Sequence, residues 1–142
     1  MSLISPADQE KLREAFTEMT RPVTVLFFTQ TLDCETCLTT RQILDELPPL
    51  SDQIRIEEVN FVLEPDKAKQ YGIDRVPALA LVSEDGDSRI RFLGAPSGYE
   101  FVAFVQAVLL VGGRAPALSA ASLALLAAVD RPVTMQVFTT PT

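Results

Sequence analysis

The chain predicts an α/β fold: a mixed four-stranded sheet with helices on both faces and an extra helix ahead of it. Three observations carry this reading. The apolar run Val23-Thr24-Val25-Leu26-Phe27-Phe28 leads through a short polar stretch to Cys34-Glu35-Thr36-Cys37 and then a helical pattern over 38–47. A second apolar run over 54–62 follows that helix, so a helix crosses over between two strands and the strands are parallel. Asp85-Gly86 then separates two further apolar runs, the signature of a hairpin. A βαβ unit followed by a ββα unit closes into one mixed sheet.

The elements follow in order. Ser5 is a good N-cap, Pro6 suits the first helical position, and Leu12, Ala15, Phe16 and Met19 share one face of a helix ending near Thr20. Arg21-Pro22 stops it. Val23 to Thr29 is apolar without alternation, the pattern of a strand buried on both sides. Leu38, Ile43, Leu44 and Leu47 form the inner side of the next helix, which Pro48-Pro49 ends. The strand over 54–62 carries Glu57 and Glu58 among apolar neighbours. A short helix runs from Pro65 to Tyr71 and stops at Gly72. Strands over 78–82 and 88–92 form the hairpin. A helix from Tyr99 to Val111 follows, with Phe101, Phe104, Val105 and Val108 as its apolar stripe.

Bulk properties narrow the function. The chain has 142 residues, 47% hydrophobic and 22% charged, enough for one domain with a substantial core. Its net charge of −7 argues against nucleic acid and anionic membrane surfaces as partners. Met1 to Pro6 leads straight into a charged helix, so no leader is expected. The apolar stretch over 101–129 is interrupted by Gly112-Gly113-Arg114 and Pro116, leaving no membrane span. A cytoplasmic location is expected, where a lone CxxC is more often catalytic than structural.

Cys34 and Cys37 are the only cysteines, and they fall where a strand passes into a helix. Unpaired N–H groups and the positive end of the helix dipole favour a thiolate there, and the thiolate is the nucleophile. Cys34 is expected to attack and Cys37 to resolve. A CxxC can also be half of a zinc site, but zinc takes four ligands and the chain has no histidine and no third cysteine. A purely structural disulfide would close too short a loop to restrain the unfolded chain much.

An internal repeat marks the far end. Pro6-Ala7, Arg21-Pro22-Val23-Thr24 and Phe28-Thr29 recur at an offset of 110 residues as Pro116-Ala117, Arg131-Pro132-Val133-Thr134 and Phe138-Thr139. Repetition at this spacing implies tandem units. The expected organisation is a domain over 1–114, followed over 115–142 by the opening helix and strand of a truncated second unit. The counterpart of Cys34 would lie two positions past Thr142. The strand over 133–139 is expected to join its own sheet or pair with another chain, giving a candidate dimer contact.

These motifs together resemble the protein disulfide oxidoreductases, a glutaredoxin-like family of tandem thioredoxin folds. The resemblance covers nearly the whole chain. It rests on Cys34-Glu35-Thr36-Cys37, on Tyr71-Gly72-Ile73-Asp74-Arg75-Val76-Pro77-Ala78, on Arg91 to Phe101, and on the closing run from Gln136. It implies thiol–disulfide exchange with no metal or organic cofactor beyond the Cys34–Cys37 disulfide itself. It also implies protein or small disulfides as substrates and a thiol reductase as electron donor. Val76-Pro77 is expected to be a cis peptide beside the cysteines, leaving Val76 to bind an extended substrate. Phe28 stands where thioredoxins carry a buried Asp, and Glu58 is a candidate proton acceptor for Cys37, with a solvated strand carboxylate as the competing view. Asp33 and Glu35 flank the nucleophile with like charge, which disfavours the thiolate and predicts a reducing couple. In a tandem protein the first CxxC could also be secondary to that of the second unit. The alternative class is a thioredoxin-fold module that binds partners or dimerises without catalysis.

Overall fold

Val23–Thr29 forms β1, and its unbroken apolar side chains suit it to the middle of the sheet. The structure, a computed structural model, describes residues 2–140. β2 (Ile54–Asn60) runs parallel to β1 with Ile54 opposite Val23. β3 (Ala78–Ser83) runs antiparallel on the other side with Ala78 opposite Phe28. β4 (Gly86–Leu93) pairs antiparallel with β3, giving the order β2-β1-β3-β4.

Alternation along β1 divides the interior in two. Val23, Val25 and Phe27 pack with Phe16 of α1 (Pro6–Phe16), Leu44 of α2 (Cys37–Asp45), and Phe104 and Val108 of α4 (Tyr99–Val111). Leu26 and Phe28 point the other way, against Val59, Ala78, Ala80, Ile73 and Ala68 of α3 (Pro65–Gln70). Phe27 and Phe28 are each almost fully buried, and removing such a side chain from water is worth roughly 1.5–3 kcal/mol. Helices therefore cover both faces, as the pattern predicts.

Local chemistry sets the element ends. The Ser5 side chain accepts from the Asp8 backbone amide and caps α1. The helix stops at Phe16, short of the predicted Thr20, in a turn that carries Met19 into the core. β2 stops at Asn60 rather than Val62. The Asn60 Oδ1 accepts from the amides of Val62 and Leu63, both at 3.0 Å, and this turn takes the chain out of the strand.

The start of the chain is pinned by Glu46. Its carboxylate accepts from the Ser2 hydroxyl and from the backbone amides of Leu3 and Ile4. Burial works against that charge, but these hydrogen bonds outweigh it and hold the Glu46 pKa below its ordinary value. A depressed folded-state pKa supplies stability above the unfolded-state value, lost as pH falls through the folded one. Hydrogen-exchange protection of the Leu3 and Ile4 amides, taken relative to the intrinsic rate at each pH, should therefore be high at pH 7 and fall as acid protonates Glu46. Glu46→Gln should show low protection throughout.

The last segment departs from expectation. α5 (Ala120–Ala127) forms, with Ser119 as its N-cap, but buries none of its residues. Residues 132–140 carry no regular structure, are exposed, and lie outside the sheet. The strand expected at 133–139 thus does not extend its own domain's sheet. Its apolar pattern makes a strand possible, but only a neighbouring ladder can supply the hydrogen bonds, and neither edge strand does so. No helix among the described residues is long and apolar enough to cross a membrane.

Candidate active site

β1 ends at Thr29, and the chain must turn before it can enter α2. The Gln30 side-chain amide braces that turn, donating to the carbonyls of Leu32 at 2.7 Å and Asp33 at 3.4 Å. Asp33 adopts φ 53°, a left-handed conformation that Asp tolerates better than most residues. A turn through Glu35 and Thr36 follows, and α2 begins at Cys37. The sequence reading starts the helical pattern at Leu38, and the helix begins one residue earlier. Cys34 therefore sits just ahead of the helix and Cys37 occupies its first position. Thr40 secures that turn, bonding to the Thr36 carbonyl through its amide at 3.0 Å and its hydroxyl at 2.8 Å.

The two cysteines form a disulfide with Cα atoms 5.5 Å apart. Cys37 is buried and Cys34 half-buried, so Cys34 is the sulfur that an incoming group can reach. The side chains of Leu32 and Leu38 stand exposed on the segments either side of it. A cavity of about 220 Å³ opens beside the disulfide, lined by both cysteines, Leu38, Arg41, Glu58 and Asn60. Among the described residues, no three His, Cys, Asp or Glu side chains gather to hold a metal ion.

Glu58 lies on β2 opposite Phe27. Arg41, one helical turn beyond Cys37, reaches across to it and forms a two-pronged ion pair: Nη2 to Oε1 at 2.7 Å and Nη1 to Oε2 at 2.6 Å. The guanidinium lies over the Phe27 ring, 5.9 Å from its centroid. The hydrogen bonds to Glu58 raise the Arg41 pKa above its ordinary value, against the opposing effect of partial burial.

The Val76–Pro77 bond is cis. Ala78 pairs with Phe28 near the end of β1, so Pro77 sits at the same end of the sheet as the Cys34 loop, and its carbonyl accepts from Gly94 N at 2.8 Å. Cys34, Cys37 and Glu58 thus share one cavity, while Val76 and Pro77 lie at the same sheet end outside its lining.

No family model matches the chain. A probable thioredoxin of Methanothermobacter thermautotrophicus is 32% identical over 68 residues, which are 47% of this chain and 74% of that protein. An alkyl hydroperoxide reductase component from Xanthomonas campestris pv. phaseoli is 37% identical over 81 residues, 57% of this chain and 13% of its own. Among solved structures, the NTD_N/C domain of the alkylhydroperoxide reductase AhpF of Enterococcus faecalis superposes with a TM-score of 0.76 at 32% identity. The match covers 83% of this chain and 57% of that one. A protein disulfide oxidoreductase of Aeropyrum pernix superposes with a TM-score of 0.74 at 25% identity, covering 87% and 54%.

The chain belongs to the thioredoxin-like disulfide oxidoreductases. It spans only about an eighth of the length of the alkyl hydroperoxide reductase relative. Within this thioredoxin-like unit, the sequence reading names the cysteine pair, Val76–Pro77 and Glu58, which the structure places at one end of the sheet, and does not name Arg41. One signal was available: Cys37, Arg41 and Leu44 fall at i, i+4 and i+7, so Arg41 lies on the helix face that meets the sheet. Its partner was not legible, because the pairing depends on how α2 lies across β2. Phe28 is buried in the core on the other side of the sheet from Arg41 and Glu58.

Proposed function

We propose that this unit catalyses thiol–disulfide exchange through Cys34 and Cys37. The observation that carries the reading is the pairing of a reachable Cys34 with a buried Cys37 at a helix start, in a disulfide on a thioredoxin-like sheet. The Cys34 thiolate attacks one sulfur of a substrate disulfide, the substrate S–S bond breaks, and a substrate thiolate leaves and takes up a proton. Cys37 then loses its proton and attacks the Cys34 sulfur. The Cys34–Cys37 bond forms, the second substrate thiol is released, and two electrons have passed to the substrate. Val76 and Pro77 stand at the right end of the sheet to present backbone to an extended substrate. Glu58, or cavity water, takes the Cys37 proton.

Protein or small disulfides are the substrates in this reading, and a thiol reductase returns the electrons. The exposed carboxylates of Asp33 and Glu35 beside Cys34 favour a reducing couple, nearer thioredoxin's than that of an oxidase. A chain with no cysteine outside the pair fits a cytoplasmic setting. The test is turnover of insulin disulfides with dithiothreitol. Activity that disappears in Cys34→Ser supports exchange, whereas no activity in either protein leaves an interaction module.

Residues 115–142 fit the opening of a second, similar unit. Phe16, Met19, Val23, Val25, Phe27 and Phe28 are buried in the first unit, and 110 residues on stand Leu126, Val129, Val133, Met135, Val137 and Phe138, all apolar and exposed. Ser122 and Gln136, opposite Leu12 and Leu26, depart from the pattern. If residues 1–114 are an independent domain, a chain cut after Arg114 should keep its thermal midpoint within about 2 °C. A large drop would show that α5 contributes to the first domain.

A further inference from the structure

The cavity beside the disulfide contains one feature that proton transfer to Glu58 does not explain. Two full charges of opposite sign, Arg41 and Glu58, line it together with both sulfurs and are locked to each other by two hydrogen bonds. Arg41 is fixed a third way, by the Phe27 ring beneath it. A carboxylate facing a thiol opposes thiolate formation, and a guanidinium favours it. Paired this closely, the two largely offset each other's field beyond the pair.

We propose that Arg41 and Glu58 form a charge-compensating pair that sets the thiolate population of the cysteine pair. The proposal rests on the exchange reading, since thiolate matters only if the sulfurs react. Arg41 is then a positioning residue that neutralises Glu58 and touches no substrate. The other charges on the surrounding segments are Asp33 and Glu35 in the loop before α2, Asp45 one turn beyond Arg41, and Asp74 and Arg75 before the cis bond. Asp74 and Arg75 are paired with each other. Glu57, next to Glu58 on β2, is paired with Lys67 of α3. The local balance therefore turns on Arg41 and Glu58, against a negative background from Asp33, Glu35 and Asp45, and from Glu64, which accepts from the backbone amide of Asn60 at the cavity edge.

The experiment is a pH titration of thiolate absorbance at 240 nm on the reduced protein, with the rate of iodoacetamide alkylation at pH 7 as a second reading. It compares wild type, Arg41→Gln, Glu58→Gln, the double variant and Arg41→Lys, each checked for native far-UV circular dichroism. Arg41→Gln leaves a carboxylate uncompensated and should raise the titration midpoint by at least about half a pH unit, roughly a threefold loss of thiolate at neutral pH. Glu58→Gln leaves a guanidinium uncompensated and should move the midpoint down by a similar amount. The double variant should return close to wild type, and Arg41→Lys should stay there.

Shifts in the same direction, or no shift in either single variant, would overturn the proposal. So would a Glu58→Gln protein with an unchanged midpoint, whatever its rate of mixed-disulfide closure, because that rate reads the proton-acceptor role and not the charge balance. The titration needs no turnover. A failure of the exchange reading would appear in the insulin assay, and a failure of this proposal in the midpoints.

Discussion

Replacing Cys34 with Ser should abolish insulin-disulfide turnover, lowering it by at least about a hundredfold, because the one thiol left, Cys37, is buried and has no partner to complete the exchange. Cys37→Ser should behave differently. Its Cys34 remains reachable and can still attack, but nothing resolves the product, so the protein should accumulate as a mixed disulfide visible as an added mass. Burial explains why the roles do not simply exchange. Cys37, at 6% exposure in the first position of α2, is shielded from an incoming disulfide, so the Cys34→Ser protein should trap little or no substrate. Equal trapping by both variants would show that either sulfur can attack and would remove the asymmetry on which the mechanism stands.

The second large effect lies far from the sulfurs. Gly113→Ala should destabilise the fold by on the order of 2–4 kcal/mol, read as a fall in the denaturation midpoint. Two causes act together. Gly113 has φ 107°, outside the range an L side chain readily adopts, and a Cβ there would meet the Thr20 hydroxyl oxygen at 2.1 Å. Thr20 cannot easily withdraw. Its amide donates to the Gly112 carbonyl at 2.8 Å, and the neighbouring Arg21 binds the Val111 carbonyl through Nε at 2.8 Å. The end of α4 is thus joined to the entry of β1. Gly94→Ala is the control: it has φ 102° but open space around it, so it should lose only the conformational part, about 1–2 kcal/mol. Adding Thr20→Ala to Gly113→Ala removes the offending oxygen and leaves the next contact, Thr20 Cβ, at 3.4 Å. The double variant should therefore be more stable than Gly113→Ala alone. Simple addition of the two losses would mean that the clash is relieved by backbone movement instead.

How legible the molecule was depends on the range of the interactions involved. The apolar run over 23–28 named the central strand because a strand buried on both faces needs no alternation, and Asp85-Gly86 named the hairpin because its geometry is local. The cysteine pair was legible for the same reason. The onset of α2 falls within one residue of the 38–47 pattern, because the apolar spacing that marks the helix is local. Arg41 was missed because its meaning lies in a strand 17 residues away, and the union of the Gly112–Gly113 turn with Thr20 because it links residues about 90 apart. The segment over 133–139 has a strand's pattern but does not join its own domain's sheet. Pattern can state that a segment suits a sheet, but it cannot provide the neighbour.

The arm after Arg114 also divides the molecule electrically. From Ala115 onward the only charged side chains are Asp130 and Arg131, which cancel, so the whole formal charge of −7 sits on the folded body. The body repels its own kind while the arm, uncharged and rich in exposed apolar groups, has no such defence. Ionic strength should therefore govern how readily molecules of this 142-residue chain associate. At low salt the repulsion reaches well beyond the arm's sticky contacts, and as the screening length shrinks to about 8 Å at physiological salt the arms of different molecules are left free to meet.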